Sequence, residues 1–172
     1  MFNIKSVVIN GIARSGKNTF IKMCQEHMSR YNVYNLSTID PIKKIVKDIL
    51  KIDVIDKSDK YRKLLSDIKL SLTEYNNYTY HWIINQINKY IEINKYETNI
   101  FFIQCREPSE IQKFKNNINS ITLLVTKPDL HIPNNIADQN VLNYKYDYII
   151  ENNSTLEQLN KKAISFCDTF LI

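Results

Sequence analysis

Gly11 and Gly16 are the only glycines in this chain of 172 residues, and Lys17 follows the second directly. The spacing G-x-x-x-x-G-K lies between an apolar run, KSVVIN at 5–10, and a stretch in which Phe20, Ile21, Cys24 and Met28 recur at helical spacing. A strand, a glycine loop and a helix in that order make a phosphate-binding arrangement. Glycine lets the backbone curl with positive φ and approach phosphate oxygens with no Cβ between them. Successive N–H groups and the helix N-terminus then form an anion cradle, to which Lys17 adds a point charge for β- and γ-phosphates. Gly11, Ala13, Arg14, Ser15, Gly16, Lys17, Asn18 and Thr19 are therefore the candidate ATP-binding segment. The chain makes its other turns with Asn, Pro and Asp, so glycine marks the places where nothing else fits.

Arginine is scarce beside lysine: Arg14, Arg30, Arg62 and Arg106 are all of it. In a lysine-rich chain a retained arginine suggests bidentate recognition of phosphate or carboxylate. Arg106 directly follows the apolar run NIFFIQC at 99–105, and Arg14 lies in the loop itself. Arg30 reads as a helix-end cation, and Arg62 as either a ligand-facing group or a surface charge. Asp40 and Lys43 follow a second β-rich run, NVYNLST at 32–38. Asp40 has two readings, a metal- or acceptor-positioning carboxylate or the N-cap of the helix that Pro41 opens. Trp82, Tyr75, Tyr78 and Tyr80 read as core or surface aromatics before base-stacking ones.

These residues need elements to hold them. Strands are expected at 5–10, 32–38, 99–105, 120–126 and in YDYIIEN at 146–152. Helices are expected from Lys17 to about Ser29, from Asp40 with Ile42, Ile45, Val46 and Ile49 on one face, at 58–72, at 78–93, and from Pro108. Ser154 is the expected cap of a last helix, with Thr155 and Glu157 completing its polar start. Residues 127–140, with two prolines, read as a loop. Strands alternating with helices imply an α/β parallel sheet with right-handed crossovers. Ligands of such sheets bind beyond the carboxyl ends of the strands, which places residues 11–18, Asp40, Arg106 and Lys127 on one rim.

Apolar residues form 44% of the chain and charged residues 24%, the balance of one globular domain. No apolar run is long enough for a membrane helix, and the N-terminal run reads as a strand rather than a signal peptide. Cys24, Cys105 and Cys167 form no C-x-x-C pair, which suits a reducing cytoplasm and argues against a disulfide or zinc framework. His27, His81 and His131 are equally scattered. The net charge of +5 comes from dispersed lysines without interleaved aromatics, so no nucleic-acid partner is expected. A GTPase is not expected either, because no N-K-x-D motif is present.

Several stretches resemble the nucleoside monophosphate kinase group of P-loop proteins, and most of all the bacteriophage-type deoxynucleoside monophosphate kinases. GIARSGKNT is similar to the G-x-x-R-S-G-K-D-T loop of the phage enzymes. LSTIDPIKKI is similar to the segment after their second strand and to that of animal phosphomevalonate kinase. DKYRKLLSDIK resembles an acceptor-binding helix, IQCREPSEI the end of the third strand, and ADQNV with YDYIIENNSTLEQL the closing strand and helix. The resemblance implies a three-layer α/β P-loop fold, a five-stranded parallel sheet flanked by helices, in a single domain over 1–172. A helical acceptor-binding insertion would lie at about 57–93 and a short lid-like loop at about 127–140.

The implied activity is transfer of the ATP γ-phosphoryl group to a (deoxy)nucleoside monophosphate, with ATP and Mg²⁺ required. Lys17, Arg14 and Arg106 would be catalytic; Asp40, Lys43, Arg62, Lys69 and Arg106 would bind the acceptor; Asn18 and Asp40 would approach the metal. The implied protein is cytoplasmic, a monomer or homodimer, whose partner is a small phosphate acceptor. Three departures stand out. Asn18 replaces the hydroxyl or acid after the lysine, Gln104 stands where relatives often carry an acid, and the lid-like loop has no arginine. Phosphomevalonate- or dephospho-coenzyme A-type kinases would use the same loop, and a nucleotide-binding protein with weak or no turnover would tolerate the neutral metal site.

Overall fold

A computed structural model describes residues 4–52, 58–128 and 140–172. The chain forms two compact units, one of Met1–Asn35 with Asn94–Ile172, the other of Leu36–Ile93. Most of the expected lid-like loop lies outside the described residues, as does His131.

Five strands, β1 (Ile4–Asn10), β2 (Asn32–Ser37), β3 (Asn99–Gln104), β4 (Ile121–Thr126) and β5 (Tyr148–Glu151), form one parallel sheet in the order β2-β3-β1-β4-β5. The strands expected from the sequence are all present, within one or two residues at each end. Side chains alternate across the sheet. Val7, Ile9, Ile100, Phe102, Leu123 and Val125 form one face, packed against Phe20, Ile21 and Cys24 of α1 (Lys17–His27) and Leu159, Ala163, Phe166 and Cys167 of a C-terminal helix (Leu156–Phe170). Another helix, Pro108–Ile118, lies against β1 and β4 and buries Ile111 and Phe114. Strands buried on both faces read as unbroken apolar runs, which is why β1 and β3 were legible without alternation.

In the first unit α1 and the C-terminal helix run side by side. Phe20 meets Phe166 edge-on at 5.8 Å, and His27 Nε2 lies 2.7 Å from Asp168 Oδ1. Cys24 and Cys167, 143 positions apart in sequence, meet in this core as free thiols. The hydrogen bond with Cys167 and burial both push the Cys24 thiol pKa far up. The C-terminal helix is capped by Thr155, whose hydroxyl accepts the Gln158 N–H at 3.3 Å, and not by Ser154 as expected. Adjacent Ser and Thr can both cap, and only the backbone decides between them.

The second unit holds α2 (Asp40–Asp48), α3 (Asp59–Asn76) and α4 (Tyr78–Ile93). Ile42 and Val46 of α2 pack on Tyr61 and Leu65 of α3, with Tyr78 at the edge. Ile49, expected on the buried face of α2, is its C-cap and is 71% exposed. In chain order the helices after α4 are α5 (Pro108–Ile118) and α6 (Leu156–Phe170). No described helix is long and apolar enough to cross a membrane.

One carboxylate fastens the edge of the sheet. Asp147 Oδ2 accepts the Thr122 N–H at 3.0 Å and the Thr122 hydroxyl at 2.9 Å; its other oxygen pairs with Lys115, and the Asp147 N–H returns to Thr122 Oγ1 at 2.9 Å. Burial opposes the charge, but the Lys115 ammonium and the Thr122 donors outweigh it and hold the carboxyl below its ordinary value of 3.8. Because the unfolded chain binds this proton more tightly, the contribution to stability is fully present above pH 3.8 and is lost as pH falls through the lower folded value. Denaturant titrations of wild type and Asp147→Asn should therefore differ most near neutrality, and the gap should close below about pH 4.

Candidate phosphate-binding site

The loop between β1 and α1 has backbone features that its sequence only partly announced. Gly16, the N-cap of α1, has φ 93°, and Arg14 has φ 67°. Ser15 N–H closes a turn onto the Ile12 carbonyl at 3.2 Å, and Phe20 N–H makes the first helical bond to Gly16 O at 2.9 Å. No side chain caps α1, and no acid occupies its first turn. By contrast α2, α3, α5 and α6 carry Asp40, Asp59, Glu110 and Glu157 in theirs, while α4 has none. Helix starts leave backbone N–H groups without intrahelical partners, and the dipole there favours a negative charge. Here the first helical residue is Lys17, half-buried, followed by exposed Asn18 and Thr19.

The glycines are required by the protein's own packing as well as by any ligand. A Cβ at residue 11 would stand 2.6 Å from Ser15 Oγ and 2.6 Å from the Val125 carbonyl oxygen of β4. At residue 16 a Cβ would run into the carboxamide nitrogen of Asn152. Asn152, directly after β5, donates from Nδ2 to the Ser15 carbonyl at 3.0 Å while its own N–H binds Thr126 O at 2.7 Å. The loop is thus held from β4 and β5. Ser15 is 1% exposed, and its Oγ is buried without a hydrogen-bond partner. This orphaned hydroxyl packs beneath Gly11 within the loop, and an unpaired buried hydroxyl costs about 1–3 kcal/mol, so a polar ligand atom in the loop would fit it.

Asn10, at the end of β1, is fully buried. Its Oδ1 accepts the Gly11 N–H at 2.8 Å, and its Nδ2 donates to the Arg106 carbonyl at 3.3 Å and to the Tyr146 hydroxyl at 2.7 Å. Tyr146 in turn donates to the Val141 carbonyl at 2.8 Å, in the 3-10 turn Asn140–Asn143. Burial is the main reason the Tyr146 phenol pKa is raised. Asn10, Tyr146 and Asn152 were all missed from the sequence. The one available signal was Asn10, a polar residue closing an apolar strand directly before the loop.

The remaining expected residues separate by unit. Arg106 stays with the loop: β3 and β1 are neighbours, and its carbonyl meets Asn10. Lys127, exposed, follows β4 on the other side of β1. Gln104 Nε2 donates to Asn35 Oδ1 at 2.9 Å across to the end of β2. Asp40, Lys43, Arg62 and Lys69 belong to the second unit. Asp40 is not an N-cap: Ile39 takes that place in an αR conformation, so Asp40 is already within the helix. Its carboxylate bends back to the Ser37 N–H at 3.1 Å and lies 3.8 Å from Lys43 Nζ. Burial raises its pKa in spite of Lys43 and Ser37. Arg62 pairs with Asp59 at 3.6 Å on an exposed face of α3. Lys69 is half-buried.

As a donor set for Mg²⁺ these residues do not make a protein-held site. Asn18 offers one neutral oxygen, Gln104 is likewise neutral with its amide nitrogen given to Asn35, and no group of three His, Cys, Asp or Glu is arranged to hold a metal among the described residues. The packing at Gly16 has a direct consequence. Gly16→Ala should lower stability by about 1–3 kcal/mol, from the left-handed φ and the collision with Asn152. Adding Asn152→Ala should recover the steric part of that loss but not the backbone part, as read from denaturation midpoints.

No protein-family model matches the chain, and no curated protein sequence matches it significantly. Solved structures do match along the whole chain. *Candida albicans* thymidylate kinase is 14% identical, with 97% of this chain and 92% of that one covered at a TM-score of 0.51. *Mycobacterium tuberculosis* APS kinase, solved with AMPPNP and APS, is 10% identical over 98% and 99% at 0.51. A sugar kinase from a *Janibacter* species is 13% identical over 96% and 95% at 0.50. At these identities the likeness is one of fold, and the three-layer α/β fold of this chain is that of small-molecule P-loop kinases.

Proposed function

We propose that this protein transfers the γ-phosphoryl group of ATP to a small phosphate acceptor, a (deoxy)nucleoside monophosphate. The observation that carries the reading is the β1–α1 loop. It is glycine-shaped, uncapped, free of acids in the first helical turn, led by Lys17, and contains the buried unpaired hydroxyl of Ser15. Each of these features stabilises a bound polyphosphate. The acceptor class rests on the sequence resemblance, because the fold is shared by kinases named for a nucleotide, a sugar and APS.

In this reading Lys17 and Arg14 screen the phosphates of ATP, and Arg106, fixed beside the loop through its backbone, screens the transferring group. Asp40, Lys43, Arg62 and Lys69 are the acceptor-binding candidates that the sequence resemblance supplies. Phosphoryl transfer asks for alignment and charge stabilisation more than for covalent help, which a cation-rich rim supplies. Magnesium would arrive with the nucleotide and be held mainly by its phosphates, with Asn18 and Asp40 as the protein candidates that the sequence resemblance supplies.

A second reading, a nucleotide binder with weak or no turnover, is favoured by the neutral side chains of Asn18 and Gln104. Incubation with ATP, Mg²⁺ and a panel of monophosphates, following ADP release, separates the two. Turnover with at least one nucleotide is expected; ATP binding with no turnover across the panel would reject the kinase reading. Lys17→Ala should reduce turnover by about 10²–10³-fold or more while leaving the circular dichroism spectrum unchanged. Asn18→Asp should shift the Mg²⁺ titration of the rate toward lower metal concentration, and an unmoved titration would remove Asn18 from the metal.

A further inference from the structure

We propose that Asn10, locked by Tyr146, is a positioning residue that sets the start of the phosphate loop and the backbone of Arg106 at one fixed spacing. The proposal rests on the kinase reading above for its catalytic consequence, and on the hydrogen bonds alone for its structural one.

The Asn10 carboxamide can lie in one orientation only. Its oxygen faces a donor, Gly11 N–H at 2.8 Å, and its nitrogen faces the Arg106 carbonyl at 3.3 Å and the Tyr146 oxygen at 2.7 Å. Flipping the amide would set donor against donor at Gly11 and acceptor against acceptor at Arg106. The Tyr146 hydroxyl has a single proton, already given to Val141 O at 2.8 Å, so toward Asn10 it acts as an acceptor. The Tyr146–Val141 bond therefore selects which face of the carboxamide points at Gly11. Three chain segments meet at this one side chain: the end of β1, the residue after Cys105, and the approach to β5. Asn10, Tyr146 and Val141 are buried, where a lost partner is not readily replaced by water, and Arg106 is half-buried.

Two consequences bear on function. The Gly11 N–H is turned inward to Asn10 and is not part of the anion cradle, so the carboxamide determines where the loop begins to curl. Arg106 has its carbonyl fixed to the same group, so its side chain starts from a set position relative to the loop. Alignment is the main demand of phosphoryl transfer, and displacement of about 1 Å can cost 10²-fold in rate. Substitutions here should act on kcat more than on ATP binding.

The two glycines make the test unusually direct, because both lie in this loop. Protein labelled only with ¹⁵N-glycine gives two amide signals, Gly11 and Gly16. Tyr146→Phe removes the hydroxyl without touching either glycine; it should move the Gly11 signal, leave Gly16 near its original position, and lower kcat by about tenfold with little change in the KM for ATP. Asn10→Asp, nearly isosteric but without the two N–H donors, should lower kcat further. The double variant should be no worse than Asn10→Asp alone, since the two act as one unit. Tyr144→Phe is the control: its hydroxyl donates to Gln112 Oε1 at 3.0 Å and should leave both signals and the rate unchanged.

An unmoved Gly11 signal in a folded Tyr146→Phe would overturn the positioning role, whatever the activity. A moved signal with unchanged kcat in an active enzyme would also overturn it, leaving a packing contact only. If wild type shows no turnover with any acceptor, the kinase reading fails separately, and the Gly11 signal still decides whether Asn10 and Tyr146 set the loop.

Discussion

The space for a side chain at residue 11 does not exist, and much of the first unit follows from that. The loop passes so close to the β4 backbone that a Cβ would meet the Val125 carbonyl oxygen at 2.6 Å. β1 must therefore sit beside β4, stop at Asn10 and hand the chain to a turn that glycine alone can make without displacing β4. The same closeness brings Ser15 under Gly11 and buries its hydroxyl. At the far end of the loop, Asn152 fills the place of a Cβ on Gly16 and holds the Ser15 carbonyl. Two absent methyl groups thus let the strand ends and a helix start close over the four residues between Gly11 and Gly16.

The scarcity of glycine elsewhere becomes intelligible from the conformations of asparagine. Asn77 and Asn119 end α3 and α5 with φ 55° and 51°, the left-handed cap that glycine usually provides. Asparagine tolerates that conformation because its short side chain can bond locally. It cannot replace glycine where the obstacle is a neighbouring atom rather than its own backbone, as at residues 11 and 16. Carboxamides also do the holding around the loop: Asn10 from below and Asn152 from the side. The chain uses asparagine for conformation and for hydrogen bonding, and glycine where a neighbouring atom also leaves no room for a side chain.

This explains what could be read in advance. Apolar runs buried on both faces gave β1, β3 and β4, and the loop between strand and helix gave the fold. Boundaries slipped where two residues had equal chemistry, as with Ser154 and Thr155. Asp40 is not the cap because Ile39, a residue with no capping side chain, takes the N-cap place and Asp40 is the first helical residue. The association of α2 with α3 depends on Ile42 and Val46 meeting Tyr61 and Leu65, contacts that apolar spacing announces on each helix but does not pair. Asn10 and Tyr146 are separated by 136 positions, and Asn152 and Ser15 by 137. No local pattern encodes such partners; they exist only once the parallel crossovers bring three strand ends together.

The distribution of charge around α1 points the same way as its geometry. An acid in a first helical turn stabilises a helix by about 0.3–1 kcal/mol; among the other described α-helices, α2, α3, α5 and α6 have one and α4 does not. α1 forgoes that gain, has no side-chain cap, and places Lys17 where the dipole is positive. Each choice is unfavourable for folding alone, and together with the unpaired Ser15 hydroxyl they concentrate unmet attraction for an anion in one loop. Neutral Asn18 and Gln104 carry the pattern further, since an acid at either place would oppose the phosphate while serving a metal. On the proposed reading the loop would attract the polyphosphate itself, and a metal would be held by the ligand's own oxygens.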